Sequence, residues 1–113
     1  MGVNFGDSTL RNVLFNNCNL SYANIRMSNL KQVIFKESLL RSGDFGVSEF
    51  SKVRFEKSDM KQIQFIATKL KEVDLSTCDI EGIGARIEDL KGVIVSNTQV
   101  MEFAGLLGLV IKE

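Results

Sequence analysis

Cys18-Asn19-Leu20-Ser21-Tyr22-Ala23-Asn24-Ile25-Arg26-Met27 is two five-residue units of one pattern: a small residue, Asn, a large apolar residue, then two variable positions. The beat extends in both directions. Every fifth residue from Phe5 to Ile80 is Phe, Leu, Ile or Met: sixteen consecutive hits from types that make up 33 of 113 residues. Seven of the eight phenylalanines fall in this register. An amphipathic helix has a period of 3.6 and an ordinary strand a period of 2, so neither explains a beat of five.

Two residues before each large residue stands a small or β-branched one, and these sort again at a spacing of twenty. Val13, Val33, Val53, Val73 and Val93 form one column, Ser8, Ser28, Ser48 and Thr68 a second, and Cys18, Ser38, Ser58 and Cys78 a third. A five-residue unit nested in a twenty-residue one implies four units per coil, each coil stacked on the last. The large residues then make four inward ladders. Phe5, Ile25, Phe45 and Phe65 face Phe15, Phe35, Phe55 and Leu75, while Leu10, Leu30, Phe50 and Leu70 face Leu20, Leu40, Met60 and Ile80. No single side buries much alone, so stability must come from stacking.

Units such as Cys18–Tyr22, Ala23–Met27 and Ser58-Asp59-Met60-Lys61-Gln62 resemble the pentapeptide-repeat family, continuously over residues 3–80 and raggedly to 95. The resemblance implies an all-β solenoid, a right-handed quadrilateral β-helix with the central and small residues pointing inward. On this reading residues 1–95 form the β-helix of four to five coils and 96–113 a C-terminal cap of a short helix and strand. Coils ~4.8 Å apart would make a rod of roughly 20–25 Å.

The five-beat stops after Val95. Ser96-Asn97-Thr98-Gln99 has the spacing of a capping box. Val100, Phe103, Ala104 and Leu107 follow at helical spacing, predicting a helical face laid across the last coil, with Gly108 at its C-terminal turn. Leu109-Val110-Ile111 reads as a short strand. Some pentapeptide-repeat proteins pair through such a tail, and the resemblance implies a homodimer here through Met101, Leu106, Leu109 and Ile111. At the other end Val3 and Phe5 are already in register. Either the chain is a piece of a longer solenoid or its first coil packs against something.

The composition excludes several roles. Lys+Arg and Asp+Glu each number 14, histidine is absent, and no apolar run reaches membrane-spanning length. Neither a secretory leader nor a myristoylation signal is present, so the sequence reads as cytoplasmic, and Asn19-Leu20-Ser21 as a chance glycosylation triplet. Catalytic, cofactor-binding and metal-binding residues are all expected to be absent, because no nucleophile–base pair can be named. The two cysteines share a column three coils apart, ~14 Å by strand spacing, too far for a disulfide. Asp44-Phe45-Gly46 spells a kinase metal-binding tripeptide but simply occupies register positions. Gly82-Ile83-Gly84 lacks the third glycine of a nucleotide loop and marks where the coil loosens, with Glu88 falling at an inward position.

Two outward surfaces stand out. One face carries Arg11, Lys31, Lys52, Lys69, Lys71 and Lys91 against Glu49, Glu72 and Asp89, a mixed and mildly basic surface. The adjacent face exposes Met27, Val47, Ile66 and Ala67, a rising apolar column suited to an unidentified protein partner. The expected function is a non-catalytic interaction scaffold. The alternative that the family suggests, protection of DNA gyrase or topoisomerase IV from quinolones by imitating duplex DNA, calls for a strongly acidic rod. Zero net charge disfavours it, and neither nucleic acid nor membrane is an expected partner.

Overall fold

The computed structural model of the protein describes residues 2–110 and 112. Its sheet contains β1 (Thr9–Asn16), β2 (Asn29–Lys36), β3 (Glu49–Ser51) and β4 (Arg54–Glu56). Two 3-10 turns, Ile87–Asp89 and Asn97–Gln99, precede one helix, α1 (Val100–Leu106). Every strand pairing is parallel and joins residues twenty apart, Leu10 beside Leu30, Leu30 beside Phe50 and Phe35 beside Phe55. Outside the strands the same offset continues as single bridges, among them Asn4–Asn24, Leu39–Asp59, Gln64–Gly84 and Asp74–Ile94. Consecutive twenty-residue turns of chain therefore lie one upon another.

A chain stacked in this way must bend every five residues, and the backbone shows where. Fourteen non-glycine residues at intervals of five, from Asp7 to Glu72, have φ between +46° and +66°. Gly82 and Gly92 continue the series at +74° and +80°. Only glycine adopts this left-handed conformation freely, so each other residue there is held by its neighbours.

The ladders meet inside. Phe35 lies between Phe15 and Phe55, with ring centroids 5.0 and 5.1 Å away and planes within 8° of parallel. Phe45, from the facing ladder, meets Phe35 edge-on at 5.5 Å. Ile25, Leu30, Phe35, Leu40, Phe45, Met60, Phe65 and Leu70 are fully buried. The serine columns add a polar spine. Ser28 and Ser48 donate from Oγ to the Phe5 and Ile25 carbonyls, and Thr68 donates from Oγ1 to the Phe45 carbonyl, at 2.6–3.0 Å. Each of the three also accepts the N–H of its counterpart one coil earlier. Buried hydroxyls are thus satisfied by the repeat itself.

The two ends differ. At the C-terminal end Gln99 is buried and donates from Nε2 to the carbonyls of Leu75 (2.7 Å) and Cys78 (2.8 Å), while Phe103, Ala104 and Leu106 pack on or beside the last coil. This corrects the expected helix face. Val100 and Leu107 stay about half exposed, lining a groove with Phe103 beside Leu90, Val93 and Val95 of the last coil, while Leu106, expected to point elsewhere, packs against the core. The N–H groups of Gly108 and Leu109 close α1 onto Gly105 and Ala104. Leu109 and Val110 form no strand, and Ile111 lies outside the described residues. Glu88 is exposed, not inward; the turn at Ile87–Asp89 buries Asp89 instead, held by Arg86 at 2.8 Å. At the N-terminal end nothing comparable covers the first coil among the described residues. Phe5, Leu10, Val13, Phe15 and Cys18 are only partly buried.

Candidate functional site

The bends form four vertical columns, and their chemistry differs. One column reads Asn12, Gln32, Lys52, Glu72 and Gly92; another Asn17, Glu37 and Lys57; a third Tyr22, Ser42, Gln62 and Gly82. These are polar or glycine apart from Tyr22. The fourth begins at Asp7 and continues as Met27, Val47 and Ala67. Stacking is direct: the Met27 N–H donates to the Gly46 carbonyl at 3.0 Å, and the Val47 N–H to the Ile66 carbonyl at 2.9 Å. Met27, Val47 and Ile66 are exposed and Ala67 half-buried. The structure therefore gathers all four residues of the apolar column on one corner.

Val47 is the only β-branched residue among the fourteen left-handed positions, at φ +51°. Branching at Cβ makes that conformation a steric outlier. Beside it Arg26 and Asp44 approach to 3.7 Å, giving the apolar strip a charged flank. The basic face is also assembled by the register, with Arg11 directly beside Lys31. Asp89 does not offset it, being buried against Arg86.

The tail candidates separate. Met101 and Leu109 are both 59% exposed, whereas Leu106 packs against the core. Val100 and Leu107 rim an apolar groove of about 380 Å³ with Ile87 and Phe103.

The carboxylates at the second position of each unit have a local task. Oδ1 of Asp44, Asp59, Asp74 and Asp79 accepts the N–H two residues on, fixing the turn that follows. At Asp59 desolvation pushes the pKa up, but hydrogen bonds from Arg41 and Lys61 and their charges outweigh it, so it lies below the ordinary value. The bonds to Ser76 lower Asp74 in the same way. Both cysteines are free, and burial raises the Cys78 thiol.

Phe45 of Asp44-Phe45-Gly46 is fully buried. Gly82 is a bend, Ile83 points into the core, and Gly84 lies under Gln64, whose Oε1 stands 2.0 Å from where a Cβ would be. Among the described residues no cluster of His, Cys, Asp and Glu is arranged to hold a metal, and no helix is long and apolar enough to cross a membrane. The sequence reading missed the inward reach of Gln99 and the strain at Val47. A β-branched residue in a bend register that holds no other one was the available signal for the second.

No curated protein sequence matches the chain. Among solved structures, a trypsin-treated variant of QnrB1, a plasmid-mediated fluoroquinolone resistance protein, is similar at 18% identity and TM-score 0.44, over 99% of this chain and 74% of that one. Full-length QnrB1 is similar at 12% identity and TM-score 0.42, over 93% and 92%. HetL, a pentapeptide-repeat protein involved in heterocyst differentiation regulation from the cyanobacterium Nostoc, is similar at 16% identity and TM-score 0.43, over 83% and 49%. The pentapeptide repeat region family model matches residues 1–65, more than half of the sequence. With its five-residue beat and twenty-residue register, the chain belongs to the pentapeptide-repeat family.

Proposed function

We propose that this chain is a non-catalytic scaffold of the cytoplasm, a right-handed quadrilateral β-helix over residues 1–95 with a cap over 96–113, that binds a protein along its Met27–Val47–Ala67 corner. The right hand follows from the strong preference of parallel strand–crossover–strand connections. The observation that carries the function is Val47. Three columns of bends use polar residues or glycine almost throughout, and this one places exposed apolar side chains there, one of them in a strained conformation. Strain and exposed apolar surface both cost stability, and they persist together where contact with another molecule compensates.

We also propose pairing with a second copy through the exposed tail residues Met101 and Leu109; Leu106 contributes from beneath as support. The test of the corner is capture of binding partners from the source cytoplasm by the native chain and by Ile66→Lys and Val47→Glu. Loss of the same partner from both variants supports the reading, and an unchanged partner set refutes it. A gyrase supercoiling assay with and without ciprofloxacin tests the quinolone-protection alternative; no protection is the expected result.

A further inference from the structure

The side of the rod that follows the Met27–Val47–Ala67 bends carries Arg11, Lys31, Lys52, Lys69, Lys71 and Lys91, all exposed. The register sets five of them in a ladder. Arg11 lies directly beside Lys31, and Lys31 beside Ser51, whose chain neighbour Lys52 supplies the next charge. Bonds from the Leu70 and Glu72 N–H groups to the Asp89 and Gly92 carbonyls hold Lys71 against Lys91. The charges therefore follow one another at the coil spacing, ~4.8 Å.

These cations lack counter-ions. On the other sides Arg26, Arg41, Arg54, Lys61 and Arg86 each meet a carboxylate. Among the described residues none of the six does, although Glu49 and Glu72 stand exposed on the same side. Like charges stacked on neighbouring strands destabilise a sheet, so the isolated rod gains nothing from the ladder. The same side also opens between its third and fourth coils. Phe50 and Lys52 make no backbone bond to the fourth coil, and a hollow of about 410 Å³ lies between Glu49 and Phe50 below and Ala67 and Lys69 above. Ala67 belongs to the apolar corner, so corner, hollow and ladder form one continuous surface.

We propose that the partner of this surface is an acidic amphipathic helix laid along the rod, its apolar stripe on the corner and its carboxylates on the ladder. The proposal rests on the corner being a protein-binding surface. Corner and ladder are four residues apart in each coil, at most ~13 Å of extended chain, about the width of one helix with its side chains. A helix repeats every 5.4 Å, so carboxylates placed once per turn slip only ~2.4 Å against the ladder over its four intervals. Lysine's flexible stem absorbs that much. An extended strand, with same-side residues ~6.7 Å apart, slips ~7–8 Å. Duplex nucleic acid matches the charges but leaves Met27 and Val47 uncovered.

The probe is a synthetic helix of about 18 residues with glutamate once per turn beside a leucine stripe, its binding followed by fluorescence anisotropy. Binding is expected below ~100 µM at ~50 mM salt. Lys31→Glu/Lys71→Glu should weaken it at least ~tenfold, and that difference should vanish in ~1 M salt. Lys36→Glu/Lys57→Glu makes the same change of charge at exposed positions off this side, and should weaken it less than ~twofold. Val47→Asn should weaken it about fivefold at either salt concentration, because its contact is apolar. Loss with Val47→Asn alone leaves the corner in place and overturns the ladder. Loss with Lys31→Glu/Lys71→Glu alone overturns the corner and with it the shared occupant. Three further results overturn the acidic helix: equal loss from the two lysine pairs, equal or tighter binding of a scrambled peptide or a DNA duplex of about 20 base pairs, and no binding at ~100 µM.

Discussion

The Gln99 side-chain amide lies 2.7 Å from the carbonyl oxygen of Leu75, twenty-four residues earlier, and 2.8 Å from that of Cys78. One side chain thus closes two acceptors that the next coil would otherwise satisfy. Its Oε1 takes the Ser96 N–H at 2.9 Å, so the same amide also fixes the entry to the cap.

Replacing Gln99 by Met keeps the volume and removes all three bonds. Two buried carbonyls and an N–H are then orphaned, which should cost about 2–4 kcal/mol. Chemical denaturation measures it, and a loss below ~0.5 kcal/mol would show that water replaces the amide without penalty.

Phe35 is the centre of the aromatic stack, touching rings above, below and across. Phe35→Ala should lose ~3–5 kcal/mol in a urea melt. Phe15→Ala, in the half-covered first coil, should lose clearly less. Equal losses would mean that the two positions are equally enclosed.

What the sequence made legible, and what it did not, divides along the repeat. Phe35 above Phe15 and below Phe55 could be read from spacing alone, because sixteen repetitions of one constraint leave no other periodic fold. The corner residues Met27, Val47, Ile66 and Ala67 came together for the same reason. Where repetition ends, so does legibility. Leu106 packs against the core although helical spacing alone points it elsewhere, because in so short a helix the core-facing arc is set by how the helix docks on the last coil, which no period announces. Gln99 was read as a local cap, but its amide reaches across the coil, and Asp89 was exchanged with Glu88 by a one-residue turn.

The two thiols should react very differently. Cys78 is 8% exposed with its pKa raised by burial, and thiolate is the reactive form. In the native state at pH 8 a disulfide reagent should modify Cys18 promptly and Cys78 only on unfolding, giving one fast thiol and one slow. Two fast thiols would contradict the burial of the last coil.

Asp59 gives a pH dependence. Its carboxylate is favoured in the fold by Arg41 and Lys61, so its stabilisation is complete above the ordinary aspartate value of about 3.9 and is lost as pH falls through the lower folded value. Asp59→Asn retains the acceptor for the Lys61 N–H but not the charge. Its Tm should therefore fall less than that of the native chain between pH 5 and pH 2. Parallel curves would assign the acid sensitivity elsewhere.

Val47 sets stability against contact. At φ +51° a β-branched side chain is strained, while asparagine occupies the same bend position at Asn12 and Asn17 with φ +54° and +57°. Val47→Asn should therefore stabilise the isolated chain by about 1 kcal/mol, a Tm rise of roughly 4 °C. If the corner is a binding surface, the same substitution weakens partner capture, because it removes the central apolar side chain between Met27 and Ala67. A rise in Tm with undiminished capture would leave the strain real and the corner without a binding role. A fall in Tm would mean that Val47 gains more from packing on Met27 and Ala67 than its backbone costs.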